Sequence, residues 1–174
     1  DVSNFDTSNV FLMEEMFSGM KELTSIDVSN FDTSYVDSFR GLFYQCEKLT
    51  SLDLSSFTTE SAFDYSIMFD GCSRIEYLNI KSFSFELAFN LQRMFNSMKS
   101  LSKLEFGNNI KSYFLERLDN TFEGCSSLTS IDLTGFDTEY VITTYSMFSG
   151  CRALKRIEFG NNFDTSSVVT MSNM

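Results

Sequence analysis

Acidic residues recur in this chain at an almost constant interval, and they are the side chains best suited to chemistry. The step is 26 residues, with one step of 27 residues between Glu105 and Asp132. Carboxylates that line up in neighbouring copies of a repeat would lie about 5 Å apart, where they repel one another and attract cations. After Asp1, the series that we consider a binding column is Asp27, Asp53, Asn79, Glu105, Asp132 and Glu158.

Two interpretations of this column stay open. The first is weak calcium binding, because clustered carboxylate oxygens are ligands that calcium prefers. The second is a solvated face that keeps the chain soluble and discourages wrong pairing. Neither gives a firm metal site, and no other cofactor is expected.

The remaining residue types argue against catalysis. The chain contains no histidine, so it has no imidazole base, and it has no glycine-rich phosphate loop. Its four cysteines occur one per copy rather than as CxxC pairs, so zinc is not expected, and we predict free buried thiols. A hydrolase that uses carboxylates alone is the alternative to a non-enzyme. The cysteines are Cys46, Cys72, Cys125 and Cys151.

The charge of the chain limits its partners. A formal net charge of −11 argues against nucleic acid and against anionic lipid surfaces. No run of about 18 apolar residues is present, so we expect no membrane contact by this segment. Basic proteins and cations fit this charge better.

Two hydrophobic patterns alternate within each copy. Leu52 and Leu54 flank Asp53, which is the period-two pattern of a short, half-buried strand. After an Asp-Thr-Ser start, apolar residues follow at i, i+3, i+6 and i+7, as in the segments 10–17 and 36–43, which predicts one face of a short helix. A repeat of 26 residues cannot bury its own apolar face, so successive copies must stack. The prediction is an α/β solenoid with parallel strands on one face and short helices on the other.

The same pattern marks a second candidate surface on the predicted helical face. The position after the first buried helical residue carries Phe11, Phe63, Phe89, Ile142 and Val169. If these side chains are exposed, they form an apolar stripe that could bind a partner. The alternative is that they pack beneath the following turn. Asp37 and Glu116 interrupt the stripe.

We expect residues 1–174 to form one solenoid of about six and a half repeats. The chain opens in mid-pattern with Asp1 and ends on a partial copy, so it is predicted to be a fragment of a longer array. Open ends of such an array would leave apolar residues unsealed, so self-association through the ends is a further expectation.

The motifs of these copies resemble a known family. Residues 128–138 read LTSIDLTGFDT and residues 147–154 read MFSGCRAL. They resemble the leucine-rich repeat of BspA-like bacterial surface proteins, and the closely similar repeat of mycoplasma-type surface lipoproteins. The resemblance implies a leucine-rich-repeat solenoid with about 26 residues per turn. It also implies an extracellular or bacterial cell-surface location and a role in adhesion.

These observations lead to one functional expectation. The chain is expected to be a non-catalytic protein-binding module of a bacterial cell-surface adhesin. It would bind host or neighbouring-cell proteins through an extended face. The alternatives are a passive structural spacer and an end-to-end assembling scaffold.

Overall fold

The computed structural model describes residues 1–107, 110 and 112–174, in which the copies lie one on another as successive coils of the chain. Each coil is joined to the next by a single-residue parallel β-bridge. The bridged residues are 26 or 27 positions apart, so one coil corresponds to one copy. They are Leu12, Ser38, Asp64, Asn90, Arg117, Thr143 and Thr170.

The described residues form four β-strands of four residues each. They are β1 (Tyr77–Ile80), β2 (Lys103–Phe106), β3 (Ser130–Leu133) and β4 (Arg156–Phe159). β1 pairs in parallel with β2, and β3 pairs in parallel with β4, so the strands form two separate two-stranded sheets. Burial alternates along β1 and β3, as the period-two pattern predicts. The segment 52–54, to which the same pattern assigned a strand, is irregular.

The predicted α/β solenoid with helices on one face is wrong. Over the ranges 1–107 and 112–174 the chain has no α-helix, and most of it consists of turns and irregular segments around the four strands. The segments 10–17 and 36–43, which the apolar spacing assigned to helices, contain turns and one bridged residue each.

The backbone hydrogen bonds explain this difference. Met13, Glu15 and Phe17 donate their amides to carbonyls of the next coil, at 3.1, 2.8 and 3.0 Å, instead of to a carbonyl four residues earlier. The left-handed φ of 54° at Glu15 also breaks any right-handed helix at this point. In consecutive turns an amide donates to the carbonyl three residues earlier, as Leu42 N–H does to the Phe39 carbonyl at 3.1 Å. Such turns bury side chains at a spacing of about three residues, which resembles the pattern of a helix.

The apolar positions were nevertheless assigned correctly to the core. Rings at the end of the turn segment stack from coil to coil, with centroids 5.4 to 6.0 Å apart and interplanar angles of 4 to 14°. This separation is within the range in which offset-stacked rings attract one another. The stack consists of Phe17, Phe43, Phe69, Phe95, Phe122 and Phe148.

Buried threonines join neighbouring coils at a second place. The hydroxyl of Thr33 donates to the Thr58 carbonyl at 2.9 Å and accepts the Thr58 amide at 2.8 Å. Thr7 makes the same pair of bonds with Asp32, and Thr59 makes it with Ser84. Each of these buried hydroxyls therefore bonds one backbone donor and one backbone acceptor of the next coil.

Candidate functional site

The predicted acidic column lies on the strand side of the stack. Asn79 is opposite Glu105 in the β1–β2 pair, and Asp132 is opposite Glu158 in the β3–β4 pair. Asp27 and Asp53 occupy the equivalent positions of earlier coils, and both are exposed. The structure therefore pairs four members of the predicted column in register.

Most of these side chains close a turn. An Oδ1 atom of Asp27 accepts the Ser29 amide at 3.0 Å, and Asp53 and Asp132 accept the amides two residues later at 2.9 Å. Asn79 accepts the amide of Lys81 in the same way at 3.1 Å. Hydrogen bonds from the same turns lower the pKa of the three aspartates. One oxygen of each side chain is thus engaged in local structure.

The centre of the column is neutralised by basic side chains. Glu105 contacts the Nζ atoms of Lys103 at 2.7 Å and Lys81 at 2.9 Å, and it accepts the Tyr77 hydroxyl at 2.7 Å. Hydrogen bonds from Lys103, Lys81 and Tyr77 lower the pKa of Glu105 to about 2. Lys103 also lies 5.2 Å above the Tyr77 ring.

Glu158, at the end of the column, forms an ion pair with Arg156. Among the side chains that the structure places, no group of three or more His, Cys, Asp or Glu residues is arranged to hold a metal ion. The oxygens of the column are shared with turns and lysines, so they are less available to a cation than the sequence suggests. Calcium binding stays a prediction, and calorimetric titration with millimolar calcium tests it.

The predicted apolar stripe lies along the single-residue bridges. The side chains of Phe11, Phe63, Phe89 and Ile142 are 58%, 47%, 40% and 42% exposed, so they do not pack beneath the following turn. Their backbone is held from coil to coil, because the Phe89 amide donates to the Phe63 carbonyl at 2.8 Å. Exposed apolar side chains on a hydrogen-bonded backbone form a surface of fixed shape.

Sequence reasoning missed part of this surface. Tyr35 and Phe114 are 59% and 54% exposed and lie two residues before Asp37 and Glu116, which interrupt the stripe in the sequence. The signal in the sequence is an aromatic residue two positions before the acidic one, as in Tyr35-Val36-Asp37.

The four cysteines are unpaired, as predicted. Cys46, Cys72 and Cys125 are buried, while Cys151 is half-buried. Each thiol contacts the carbonyl of a phenylalanine in another coil, as in the pair Cys72 Sγ to Phe43 O at 3.1 Å. Burial raises the pKa of all four thiols, to about 11 for Cys151. These thiols are packed core groups of low reactivity.

Fold and surfaces together define a repeat protein of stacked coils, with charged residues along its strand side and an apolar stripe along its bridged side. The chain belongs to the family described as Mycoplasma protein of unknown function, DUF285, which matches residues 1–109 and 116–174. No curated protein and no solved structure matches the chain significantly. In the described ranges, no helix has the length and apolar character needed to cross a lipid bilayer.

Proposed function

We propose that this chain is a non-catalytic protein-binding module of a bacterial cell-surface adhesin. It binds host or neighbouring-cell proteins through the apolar stripe of Phe11, Phe63, Phe89 and Ile142. Membership of a mycoplasma family and the resemblance of the repeats to BspA-like surface proteins support the surface location.

The observation that carries this proposal is the exposure of large apolar side chains on a backbone that already has its hydrogen bonds. An exposed phenylalanine adds little to the stability of the chain that bears it, but it contributes apolar area when a partner covers it. The core has its own ring stack, from Phe17 to Phe148, so folding does not require the stripe.

The polar residues give less support to a catalytic role. The chain has no histidine, and the carboxylates of the strand side close turns or pair with lysines. An enzyme that uses two carboxylates needs them to face one substrate from opposite sides, with different protonation states. The proposed function therefore assigns the acidic column to structure and solubility, with no cofactor.

The double variant Phe63→Ser with Phe89→Ser tests the proposal. We expect it to reduce binding to immobilised host extracellular matrix proteins at least ten-fold, because two central contacts of the stripe are lost. We also expect the free energy of unfolding to fall by only about 2 kcal/mol, because nearly half of each ring is already in water. Binding is measured by surface plasmon resonance, and unfolding by circular dichroism in urea.

The matched control is Tyr77→Ser, which removes a ring of similar exposure, 46%, from the strand side. Reduced binding of this control, with full binding of the double variant, would move the binding site to the acidic column. A double variant that loses several kcal/mol of stability would show that the stripe is a packing element. If the unaltered chain does not bind matrix proteins, a passive structural spacer is favoured. Sedimentation that depends on concentration would favour an end-to-end assembling scaffold.

A further inference from the structure

The apolar stripe continues through the two coils in which the sequence places Asp37 and Glu116. In the second coil, Tyr35 is exposed, Val36 is buried, and Asp37 is half-buried. In the fifth coil, Phe114, Leu115 and Glu116 show the same order of burial. Because the buried residue points inward in each case, the residues on either side of it lie on the outer surface.

Contacts between coils support this alignment. The Phe11 and Tyr35 rings, in the first and second coils, have centroids 6.2 Å apart. The Asp37 amide donates to the Phe11 carbonyl at 2.8 Å, which fixes the register of these two coils. Tyr35 thus lies beside Phe11 and replaces the ring that Asp37 lacks.

Each of the seven coils therefore contributes at least one exposed apolar side chain to one surface, which we call the apolar strip. At a coil spacing of about 4.8 Å, six intervals give the strip a length of about 29 Å, or about nine residues of extended chain. The strip consists of Phe11, Tyr35, Phe63, Phe89, Phe114, Ile142 and Val169, and it is widened by Leu87 and Tyr140.

The border of the strip next to the opening turns is strongly acidic. Between the turn that opens each segment and its bridged residue, the seven segments carry ten acidic residues and two basic ones, Lys111 and Arg117. Arg117 Nε pairs with Asp119 at 3.0 Å, so its charge is already matched. The acidic residues are Asp6, Asp32, Asp37, Glu60, Asp64, Glu86, Glu116, Asp137, Glu139 and Asp164.

An apolar strip with acidic residues beside it favours some binding partners over others. Two copies of the chain that meet through the strip would bring these acidic residues close together, and anionic lipid or nucleic acid would be repelled in the same way. A positively charged segment with apolar side chains matches the surface in both respects. Charge complementarity therefore favours a basic partner protein over a second copy of this chain.

We propose that the apolar strip binds a segment of another protein in which lysine or arginine residues flank apolar side chains. This inference rests on the proposed function and specifies its partner. The apolar side chains of the segment cover the strip, while its basic residues lie over the acidic border. The length of the strip suits a segment of about nine extended residues.

Synthetic peptides of twelve residues test the charge and the apolar requirement separately. One alternates lysine with leucine, the second replaces lysine by serine, and the third replaces leucine by serine. We expect the lysine–leucine peptide to bind at least ten-fold more tightly than either of the others, as measured by fluorescence anisotropy at 150 mM salt. Its affinity should also fall as salt increases, because the border contributes through exposed charges.

Two matched charge variants locate the site. Glu86→Lys, at the border of the strip, should weaken the lysine–leucine peptide about five-fold, within the range for exposed charge pairs. Glu76→Lys makes the same charge change just before β1, on the strand side, and should alter affinity by less than about two-fold. Both glutamates are exposed, so folding is expected to tolerate either change.

The outcomes separate this inference from the proposed function. The serine–leucine peptide could bind as tightly as the lysine–leucine peptide and lose this binding in Phe63→Ser with Phe89→Ser. That result would overturn the basic partner and keep the stripe as a binding surface. If the lysine–serine peptide binds as tightly as the lysine–leucine peptide, and the double variant does not change this affinity, both the basic partner and the binding role of the stripe are overturned. Failure of all three peptides would overturn the inference alone if matrix-protein binding still depends on the stripe. Self-association that the double variant abolishes would identify a second copy as the occupant.

Discussion

At the scale of single residues, the Asp-Thr-Ser sequence at 32–34 has two structural tasks. The aspartate closes a local turn, because Asp32 Oδ1 accepts the Ser34 amide at 3.0 Å. The threonine points inward and bonds the next coil through both its donor and its acceptor. A side chain of the same shape without the hydroxyl would remove both hydrogen bonds to the backbone of Thr58.

Thr33→Val should therefore lower the free energy of unfolding by about 2 kcal/mol, because two hydrogen bonds are lost and each typically contributes about 1 kcal/mol. Valine keeps the shape of threonine, so the loss reports the hydrogen bonds of a side chain that is 1% exposed. Urea denaturation followed by circular dichroism measures it. Thr58→Val is the control, because Thr58 is exposed, and it should change stability by less than about 0.5 kcal/mol. Equal losses in the two variants would contradict the assigned role of Thr33.

At the scale of elements, the sequence predicted the buried positions better than the backbone. Leu78 and Ile80 are buried in β1, as a period of two requires. Phe39 and Leu42 are also buried, although their spacing was assigned to a helix. A burial interval of about three occurs both in helices and in successive turns, and it does not tell whether an amide bonds its own segment or the next coil.

The candidate site was predictable to a similar extent. The column and the stripe could be placed on surfaces because the repeat fixes which positions stack. Asp-x-Ser and Asp-x-Thr sequences also indicate turns, but the sequence does not tell whether the carboxylate faces a backbone amide or a ligand. Tyr35 was overlooked because it occupies a different position of the repeat from Phe11, and only the fold brings the two rings together.

The turn after β4 depends on a glycine for a spatial reason. A Cβ atom on Gly160 would overlap the carbonyl oxygen of Thr134 in the preceding coil. Gly107 occupies the equivalent place after β2, where a Cβ atom would lie 2.7 Å from the Lys81 carbonyl oxygen. These turns approach the preceding coil too closely for any side chain.

Gly160→Ala should therefore destabilise the chain by about 2 to 3 kcal/mol, because the two coils must separate to admit the methyl group. Gly19→Ala is the comparison, because Gly19 has a φ of 72° and no atom within 4 Å of an added Cβ. It should cost about 1 kcal/mol, the penalty of a left-handed backbone alone. Thermal unfolding of both variants measures the difference. A smaller loss for Gly160→Ala than for Gly19→Ala would show that the turn yields more easily than the coil spacing implies.

At the scale of the whole molecule, acid affects two opposing contributions to stability. The net charge of −11 makes the folded chain repel itself at neutral pH, and protonation would relieve this repulsion. In the other direction, turn hydrogen bonds lower the pKa of aspartates in several coils. Glu105 has a pKa of about 2, well below the value of about 4.3 in an unfolded chain. Because these pKa values are lowered despite the surrounding negative charge, the local bonds outweigh the repulsion at these positions.

We therefore expect the chain to become less stable in acid. A group whose pKa is lowered by folding stabilises the folded state above its unfolded pKa, and this contribution is lost as pH falls toward the folded value. The urea midpoint should change little from pH 7 to pH 5.5 and should fall steadily from about pH 5 to pH 2. Glu105→Gln should reduce this slope, because it removes the carboxylate with the largest lowering and leaves the turns intact. A midpoint that rises as pH falls would instead mean that relief of repulsion between coils dominates, and that the turn carboxylates contribute little to holding the stack together.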